Sequence, residues 1–347
     1  RLEEVLPLCD RAAYLKEGKI HCIDTPKTLG AKLNDDVMME ALPAATRIFY
    51  GLRGDGACAL TERDGMLFLQ DYEAQSFAQV ASQNREPLIT LQDICFRYEK
   101  DGKDIAKNAT LVIEKGEIFS IVGSNGSGKT TLLQIIAGIK IPYKGKIIID
   151  GKKVKGPVEQ LRLLPQNPQL LFFKNTVLED YEAFLAQSGV IASERDMRIQ
   201  SVVSQLHIEA LLKRNPMDLS GGQQQKVAIG KLLLTPTNIL LMDEPTKGLD
   251  AVAKMELQQI LRELQQKGTT IVIVTHDLEF AAAISDRCGM YFDGQLLSAS
   301  TPREFFSNHS FYTTPASRMA RAIQKDLITC EEIITHCQKR REVNSNE

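Results

Sequence analysis

The 347-residue sequence contains no tryptophan, and it has no surplus of basic side chains. Its 42 lysines and arginines are balanced by 44 aspartates and glutamates, which gives a formal net charge of −2. A nucleic-acid-binding protein is expected to carry an excess of positive charge, so we expect no nucleic-acid partner. The sequence also has no apolar run near the roughly 18 residues that a membrane-spanning helix needs. Any role at a membrane is therefore predicted to be peripheral.

The seven cysteines are scattered and show no C-x-x-C spacing. Disulfides and zinc sites depend on paired or regularly spaced cysteines. An odd, unpatterned set instead indicates reduced thiols in a cytosolic protein.

Short segments recur along the chain at one constant spacing. Asp286-Arg287 stands 276 positions after Asp10-Arg11, and Thr301-Pro302 stands 276 positions after Thr25-Pro26. Two further pairs share this spacing: Leu2-Glu3 with Leu278-Glu279, and Gly18 with Gly294. Looser matches link Pro43–Ala45 with Pro315–Ser317, and Leu60-Thr61 with Ile328-Thr329. An internal repeat of this kind indicates two copies of one structural unit.

The repeat predicts the domain organisation. Residues 1–32 are expected to be the C-terminal remnant of an upstream copy, truncated at its N-terminus, because so short a piece cannot form a core of its own. Residues 33–87 are expected to be an extension of that copy followed by a polar linker at residues 82–86. Residues 88–310 are predicted to form a complete domain, and residues 311–347 a C-terminal extension.

A glycine-rich turn lies between a predicted buried strand, residues 117–122, and a predicted apolar helix, residues 131–137. A strand, a glycine-rich loop and a helix in this order form a phosphate-binding loop. The glycines let backbone N–H groups point towards phosphates, and the helix adds the positive end of its dipole. We expect Lys129 to reach the β- and γ-phosphates of ATP, and Thr130 to ligate Mg²⁺. The predicted nucleotide-binding residues here are Gly123, Ser124, Asn125, Gly126, Ser127, Gly128, Lys129, Thr130 and Thr131.

Two carboxylates end a predicted apolar strand, residues 239–242. Burial of this strand in a parallel sheet puts Asp243 at the carboxyl edge of the sheet, where ligands bind in α/β proteins. We predict that Asp243 contributes to the Mg²⁺ site and that Glu244 orients and polarises the attacking water. The alternative is a pair of solvated acids, which the following Pro245-Thr246 and Gly248–Asp250 disfavour.

A serine and two glycines stand at the predicted start of another helix. Such a helix end binds anions, because its N–H groups are open to a ligand. The predicted ligand-binding residues of this signature segment are Leu219, Ser220, Gly221, Gly222 and Gln223. P-loop ATPases in general lack the segment, whereas ATP-binding-cassette (ABC) ATPases carry it. Over roughly residues 88–310, with the motifs in the expected order, the sequence resembles the ABC ATPases.

This resemblance implies an α/β fold: a P-loop NTPase of the ABC type with a mixed parallel sheet, an antiparallel β-subdomain and a small helical subdomain. It also implies ATP and Mg²⁺ as ligands, and ATP hydrolysis coupled to transport. Two such domains pack head to tail, so that residues 220–223 of one cover the γ-phosphate bound by the other. The predicted partner is therefore a second ABC ATPase domain, either the upstream copy or a second copy of this chain.

Four single residues gain a predicted role from the same resemblance. Tyr98 matches the aromatic residue that stacks on adenine, and the less favoured alternative is an ordinary aromatic of a strand. Gln166 matches the glutamine that contacts Mg²⁺ or the attacking water and senses the membrane partner. His276 follows a predicted strand, residues 270–275, and matches the histidine that contacts the γ-phosphate. Asp250 matches the acid that bridges the two domains.

Three classes of function stay open: a transport ATPase, a soluble tandem ABC ATPase acting on ribosomes or nucleic acid, and a catalytically silent scaffold. The presence of Glu244 and His276 argues against the scaffold. The soluble types usually carry a long basic linker or a long heptad insertion, whereas the inter-domain stretch here is acidic and contains glycines. We therefore favour transport, with the protein bound peripherally at the cytoplasmic face of the cell membrane.

Two further segments are similar to the energy-coupling-factor group of ABC importers, which import vitamins and transition metals such as cobalt. One comprises residues 167–180, with a predicted helix over residues 170–180, and the other comprises residues 311–320. In that group, tandem ATPases supply both ATPase halves. This similarity implies two membrane partners, a transmembrane coupling subunit and a substrate-binding membrane subunit. The membrane subunits choose the cargo, so the sequence leaves it open.

Overall fold

The computed structural model describes residues 2–16, 18–33, 36–74, 85–309 and 312–339. These residues form two compact units. One lies within residues 83–301, and the other combines the described parts of residues 1–82 and 302–347. The predicted linker at residues 82–86 lies mostly outside the described residues.

The first part of the chain contains short elements. After helix α1 and a 3-10 turn over Leu6–Leu8, two strands form an antiparallel hairpin, three helices follow, and a short strand ends this part. Their bounds are α1 (Leu2–Val5), β1 (Ala12–Lys16), β2 (Lys19–Asp24), α2 (Pro26–Lys32), α3 (Ala44–Gly51), α4 (Glu62–Leu69) and β3 (Tyr72–Ala74).

The unit within residues 83–301 contains ten strands and six helices in its described part. The strands are β4 (Pro87–Phe96), β5 (Ala106–Glu114), β6 (Ile118–Val122), β7 (Lys144–Ile149), β8 (Lys152–Val154), β9 (Leu161–Leu164), β10 (Ile239–Asp243), β11 (Thr270–Thr275), β12 (Arg287–Phe292) and β13 (Gln295–Ser300). The helices are α5 (Lys129–Ile136), α6 (Val177–Gln187), α7 (Ala192–Leu206), α8 (Gly221–Leu233), α9 (Ala251–Gln266) and α10 (Leu278–Ile284).

This unit is built on two sheets. A six-stranded sheet has the order β13-β12-β6-β11-β10-β9, in which only the edge strand β13 is antiparallel to its neighbour. A four-stranded antiparallel sheet has the order β5-β4-β7-β8. Helices α6 and α7 pack with α8 as a small helical subdomain. The predicted fold class is therefore confirmed.

Strand alternation explains why the central strands are apolar throughout. Successive side chains of a strand point to opposite faces of the sheet. Leu240 and Met242 of β10 join the core shared with the helical subdomain. Ile239 and Leu241 join the core shared with the antiparallel sheet. Because both faces are covered, the strand needs apolar residues at every position.

One predicted helix has different bounds. Residues 170–180 were predicted to be a single helix, but a 3-10 turn over Pro168–Leu171 precedes α6, which begins only at Val177. The side chain of Thr176 accepts a hydrogen bond from the backbone N–H of Glu179 and caps α6. A capping threonine has extended backbone angles, so a helix cannot run through it.

The second unit is completed by four elements from the C-terminal part. They are α11 (Pro302–Asn308), α12 (Pro315–Ala320), α13 (Cys330–His336) and β14 (Cys337–Lys339). Strand β14 pairs antiparallel with β3. Helices α3 and α4 pack against α13 and α12, around a core that includes Ile48, Leu69, Met319 and Ile333.

The segments α3-α4-β3 and α12-α13-β14 have the same order of elements and make corresponding contacts. Helices α4 and α13 both begin with a reciprocal capping box, formed by Thr61 with Asp64 and by Thr329 with Glu332. An arginine of each first helix pairs with the start of the other segment's second helix. These ion pairs are Arg47–Glu331 at 2.6 Å and Arg318–Glu62. These two segments of the unit therefore have matching helix caps and reciprocal ion pairs.

Within the described residues, no helix combines the length and the apolar character needed to cross a membrane.

Candidate active site

Four adjacent parallel strands bring the predicted catalytic residues to one edge of the sheet. The glycine-rich loop follows β6, and His276 follows β11. Asp243 is the last residue of β10, and Gln166 lies two residues after β9. Since β9, β10, β11 and β6 are parallel neighbours, their carboxyl ends lie side by side. This edge is where α/β sheets bind ligands.

The loop between β6 and α5 has the backbone of a phosphate cradle. Gly126 and Gly128 have φ values of 77° and 100°, in the left-handed region that favours glycine. A Cβ atom at Gly123 would collide with the carbonyl oxygen of Tyr291, so only glycine fits there. The Ser127 hydroxyl is buried and has no hydrogen-bond partner among the described residues. A buried hydroxyl left without a partner in this loop fits an oxygen-rich ligand.

Lys129 lies at the start of α5 and is 5% exposed. Its Nζ donates hydrogen bonds to the carbonyl oxygens of Gly123 and Ser124, both at 2.9 Å. It also lies 4.0 Å from Oε1 of Glu244. Burial lowers the pKa of Lys129, whereas the carboxylates of Glu244 and Asp243 oppose that shift. The ammonium is therefore held against the loop, beside two acids.

Thr130 and Asp243 meet across the site. The Thr130 hydroxyl donates a 3.0 Å hydrogen bond to Oδ1 of Asp243. Burial raises the pKa of Asp243, and the charge of Glu244 adds to the rise, whereas the hydrogen bond from Thr130 opposes it. A hydroxyl and a carboxylate supply two oxygen ligands. Mg²⁺ typically takes few protein ligands and completes its shell with waters and substrate phosphates.

Glu244 and His276 form a close pair. Nδ1 of His276 lies 2.6 Å from Oε2 of Glu244, and the Glu244 side chain is 8% exposed. Glu244 has a positive φ of 49°, which costs a non-glycine residue on the order of 1 kcal/mol. Its backbone N–H donates to the carbonyl oxygen of Val274 at 2.8 Å. The backbone of β11 and the imidazole thus hold the carboxylate in place.

The signature segment forms the start of α8. The side chain of Ser220 accepts a hydrogen bond from the backbone N–H of Gln223, and the side chain of Gln223 accepts one from the backbone N–H of Ser220. Gln223 therefore supports this helix end. Leu219 is buried, whereas Ser220 and Gly221 are exposed. An exposed helix start of this kind can receive an anion from another molecule.

The three remaining predicted residues, Tyr98, Gln166 and Asp250, each make different contacts. The Tyr98 hydroxyl lies 2.9 Å from that of Thr131, so this half-exposed ring borders the glycine-rich loop. Gln166 is exposed in the loop after β9. Asp250 caps α9 by accepting a 2.8 Å hydrogen bond from the backbone N–H of Ala253.

Three supporting residues near the loop were not predicted from the sequence. The Tyr291 hydroxyl donates a 2.9 Å hydrogen bond to the carbonyl oxygen of Ile105, and both residues pack against glycines of the loop. Nζ of Lys140 lies 5.2 Å from the centre of the Tyr98 ring. No local motif marks Tyr291 and Ile105, since β12 and the start of β5 bring them to the loop from distant positions.

Comparison with known proteins places these features in one family. Residues 106–247 match the family model described as ABC transporter. A putative ABC transporter ATP-binding protein of Bacillus anthracis is 34% identical over 97% of this chain. The chain spans 62% of the length of that relative.

Two further similarities concern energy-coupling-factor proteins. The energy-coupling factor transporter ATP-binding protein EcfA of Methanocaldococcus jannaschii is 34% identical over 64% of this chain and 81% of its own length. The structure of cbiO1 from Clostridium perfringens, described as part of the ABC transporter complex cbiONQ, aligns with a TM-score of 0.60. It is 28% identical and covers 64% of this chain and 92% of its own.

Proposed function

Because the chain belongs to the ABC transporter ATP-binding proteins, we propose that it binds Mg-ATP and hydrolyses it to energise a membrane importer of the energy-coupling-factor type. The similarity to EcfA and to cbiO1 supports this type of importer. The observation that carries the proposal is the convergence of Lys129, Asp243, Glu244 and His276 at one edge of the sheet.

The buried charges of the site favour Mg-ATP as the ligand. The carboxylates of Asp243 and Glu244 and the ammonium of Lys129 leave one surplus negative charge in a poorly solvated place. Thr130 and Asp243 would hold Mg²⁺, and the bound ion would offset that charge and neutralise phosphate oxygens. Lys129 and the backbone of the glycine-rich loop would bind the phosphates, with Tyr98 against the adenine.

Hydrolysis requires positioning more than covalent chemistry. Glu244 would orient the attacking water and accept its proton, because its carboxylate is fixed close to the phosphate loop. His276 holds that carboxylate through Nδ1, and its Nε2 would contact the γ-phosphate. Gln166 would contact the water or the metal from the loop after β9.

A second cassette would complete the site. The described residues contain one phosphate loop and one signature helix end. We infer that Ser220–Gln223 of this chain cover a nucleotide in a partner cassette, with Asp250 at the junction. The internal repeat supports an upstream copy as that partner, with residues 1–32 as its C-terminal part. A second copy of this chain is the alternative.

The membrane partners would be a transmembrane coupling subunit and a substrate-binding subunit. An exposed apolar ridge formed by Leu170 and Phe173 follows Gln166 and supports a contact there. Their side chains are 64% and 78% exposed. Exposed apolar side chains beside a catalytic loop suit a protein or membrane partner. The protein would then be peripheral, at the cytoplasmic face of the cell membrane.

Affinity purification of the chain from its native cells tests the proposal. We expect ATP hydrolysis that needs Mg²⁺, together with co-purification of integral membrane proteins. Co-purification of ribosomes or nucleic acid with no membrane protein would favour the soluble alternative instead. Binding of ATP without hydrolysis, in the presence of a second cassette, would favour the scaffold.

A further inference from the structure

A buried ion pair lies in the helical subdomain, away from the catalytic edge. Nζ of Lys231 lies 2.6 Å from Oδ2 of Asp180, and the two side chains are 6% and 2% exposed. Lys231 belongs to the last turn of α8, and Asp180 belongs to the first turn of α6. Neither residue contributes to the proposed reaction.

The pair holds the segment that connects Gln166 with α6. Nζ of Lys231 donates a second hydrogen bond to the carbonyl oxygen of Leu171. Oδ1 of Asp180 accepts a 2.9 Å hydrogen bond from the backbone N–H of Phe173. Nζ of Lys231 also lies 5.0 Å from the centre of the Phe173 ring. Two backbone groups and one ring of this segment thus depend on a single ion pair.

A weaker contact attaches the same segment to the other end of α8. Nε2 of Gln169 lies 3.4 Å from Oε1 of Gln224, and Gln224 stands four residues after Ser220. The segment over residues 169–173 therefore runs along α8 and is attached to it at both ends. One end of this connected body is the signature helix start, and its outer surface is the ridge formed by Leu170 and Phe173.

The stability of the fold alone would not require a buried ion pair at this position. Removing two charges from water is costly, and a buried ion pair can often be replaced by apolar residues without loss of stability. A buried pair that also binds two backbone groups fixes a geometry, since its directional bonds tolerate little displacement.

We propose that Asp180 and Lys231 are positioning residues that join the ridge formed by Leu170 and Phe173 to the signature helix, so that the two move as one body. This inference rests on the proposed function, because it gives the membrane partner a rigid connection to Ser220–Gln223. A push on the ridge would then displace the helix end that covers the nucleotide of the partner cassette.

The test uses the Asp180→Asn/Lys231→Met double variant of the full chain. Removing both charges avoids leaving one buried charge uncompensated, and the asparagine oxygen can still accept from the N–H of Phe173. Lys231→Met alone is the second variant. Lys226→Met is the matched control, because Lys226 lies on the same helix and its 2.8 Å ion pair with Glu256 does not touch the segment.

Steady-state ATP hydrolysis with a second cassette gives the first result. We expect both variants to keep KM for ATP within about twofold, because the phosphate loop is intact. We expect kcat to fall about tenfold to hundredfold, because a displaced helix end no longer meets the nucleotide. The Lys226→Met variant should match the wild type in both values. In the double variant, an unchanged kcat, or parallel changes in kcat, KM and melting temperature, would overturn the proposal.

Hydrogen exchange gives the second result and does not depend on hydrolysis. Both variants lose the bond from Lys231 to the Leu171 carbonyl oxygen, so the backbone amides of residues 171 and 172 should exchange at least about tenfold faster, while those of α8 keep their wild-type rates. The Phe173 amide keeps an acceptor in the double variant and should change less. Unchanged exchange in this segment would reject the connection itself. If the wild type does not hydrolyse ATP, the proposed function fails, and the exchange result still decides whether the pair holds the segment.

Discussion

The described parts of residues 2–32 and residues 278–308 have their strands and following helix in the same order, but their surroundings differ. Strand β13 stands 276 positions after β2, and helix α11 stands 276 positions after α2, with identical lengths. Leu15 in β1 is 62% exposed, whereas Tyr291, which stands 276 positions later in β12, is fully buried. Local sequence therefore sets the elements, whereas burial depends on what lies beside them.

The difference in burial comes from the sheet that carries the candidate nucleotide-binding site. Strand β12 pairs in parallel with β6, the strand that leads into the glycine-rich loop. Among the described residues, β1 pairs with β2 alone. Among the described residues, the repeated segment thus joins the sheet of the candidate site in its second occurrence and pairs only within its own hairpin in its first. Each prediction below changes one side of this comparison.

The largest effect is expected from Glu244→Gln. Because the candidate catalytic edge among the described residues belongs to the second copy, this one substitution should remove nearly all turnover. We expect kcat to fall by about 10²–10⁴, the range for loss of a general base, with ATP affinity retained. Steady-state hydrolysis and equilibrium ATP binding measure the two quantities. Glu256→Gln, an exposed acid on α9, serves as the control, and near-normal turnover in Glu244→Gln would contradict the assigned role.

Lys129→Ala should weaken nucleotide binding. The ammonium bonds two loop carbonyl groups and would bind the phosphates, so its loss removes charge-assisted hydrogen bonds. A loss of about 3 kcal/mol corresponds to roughly 100-fold weaker ATP affinity. Titration with a fluorescent ATP analogue provides the measurement. Wild-type affinity in this variant would rule out the assigned phosphate loop.

Equivalent truncations in the two copies test the difference in burial. Tyr291→Ala should cost about 3–5 kcal/mol of unfolding free energy, because it empties a core position and removes a hydrogen bond to Ile105. Leu15→Ala should cost less than about 0.5 kcal/mol, because Leu15 is largely exposed. Denaturant unfolding of both variants gives the comparison. Similar losses would mean that another part of the protein covers Leu15.

The features predicted correctly from the sequence are those that a short stretch of residues determines. The strand over residues 270–275 coincides with β11, because a fully buried strand is a continuous apolar run. The glycine-rich loop was found because its backbone angles demand glycines. The start of the helix predicted over residues 170–180 was wrong, since α6 begins only at Val177, after the capping Thr176. The Tyr291–Ile105 contact and the pairing of β3 with β14 join residues far apart in the chain, and no periodicity reveals them.

The smallest expected effect concerns pH. Asp286-Arg287 repeats the exposed Asp10-Arg11, but Arg287 also pairs with the buried Glu117. Burial raises the pKa of Glu117 to about 7, and Arg287 opposes the shift only in part. As the pH falls, Glu117 therefore binds a proton near pH 7 in the folded protein, but only near pH 4.5 in the unfolded chain. Burying the charged carboxylate lowers the free energy of unfolding above pH 7, and this loss disappears as the pH falls towards 4.5.

Glu117→Gln should therefore stabilise the protein at pH 8 by up to about 3 kcal/mol, and the gain should vanish near pH 5. Unfolding of the variant and the wild type at both pH values measures the difference. A gain that is the same at pH 5 and pH 8 would contradict a raised pKa.

The central claim is that a triphosphate is held between the Lys129 loop of one cassette and the Ser220 helix start of a second. Calorimetric titration of the Glu244→Gln chain with ATP, in Mg²⁺ and in EDTA, tests it most directly. We predict affinity that requires Mg²⁺ and tightens when a complementary cassette is added. The absence of Mg²⁺-dependent affinity, even with that cassette present, would contradict the account.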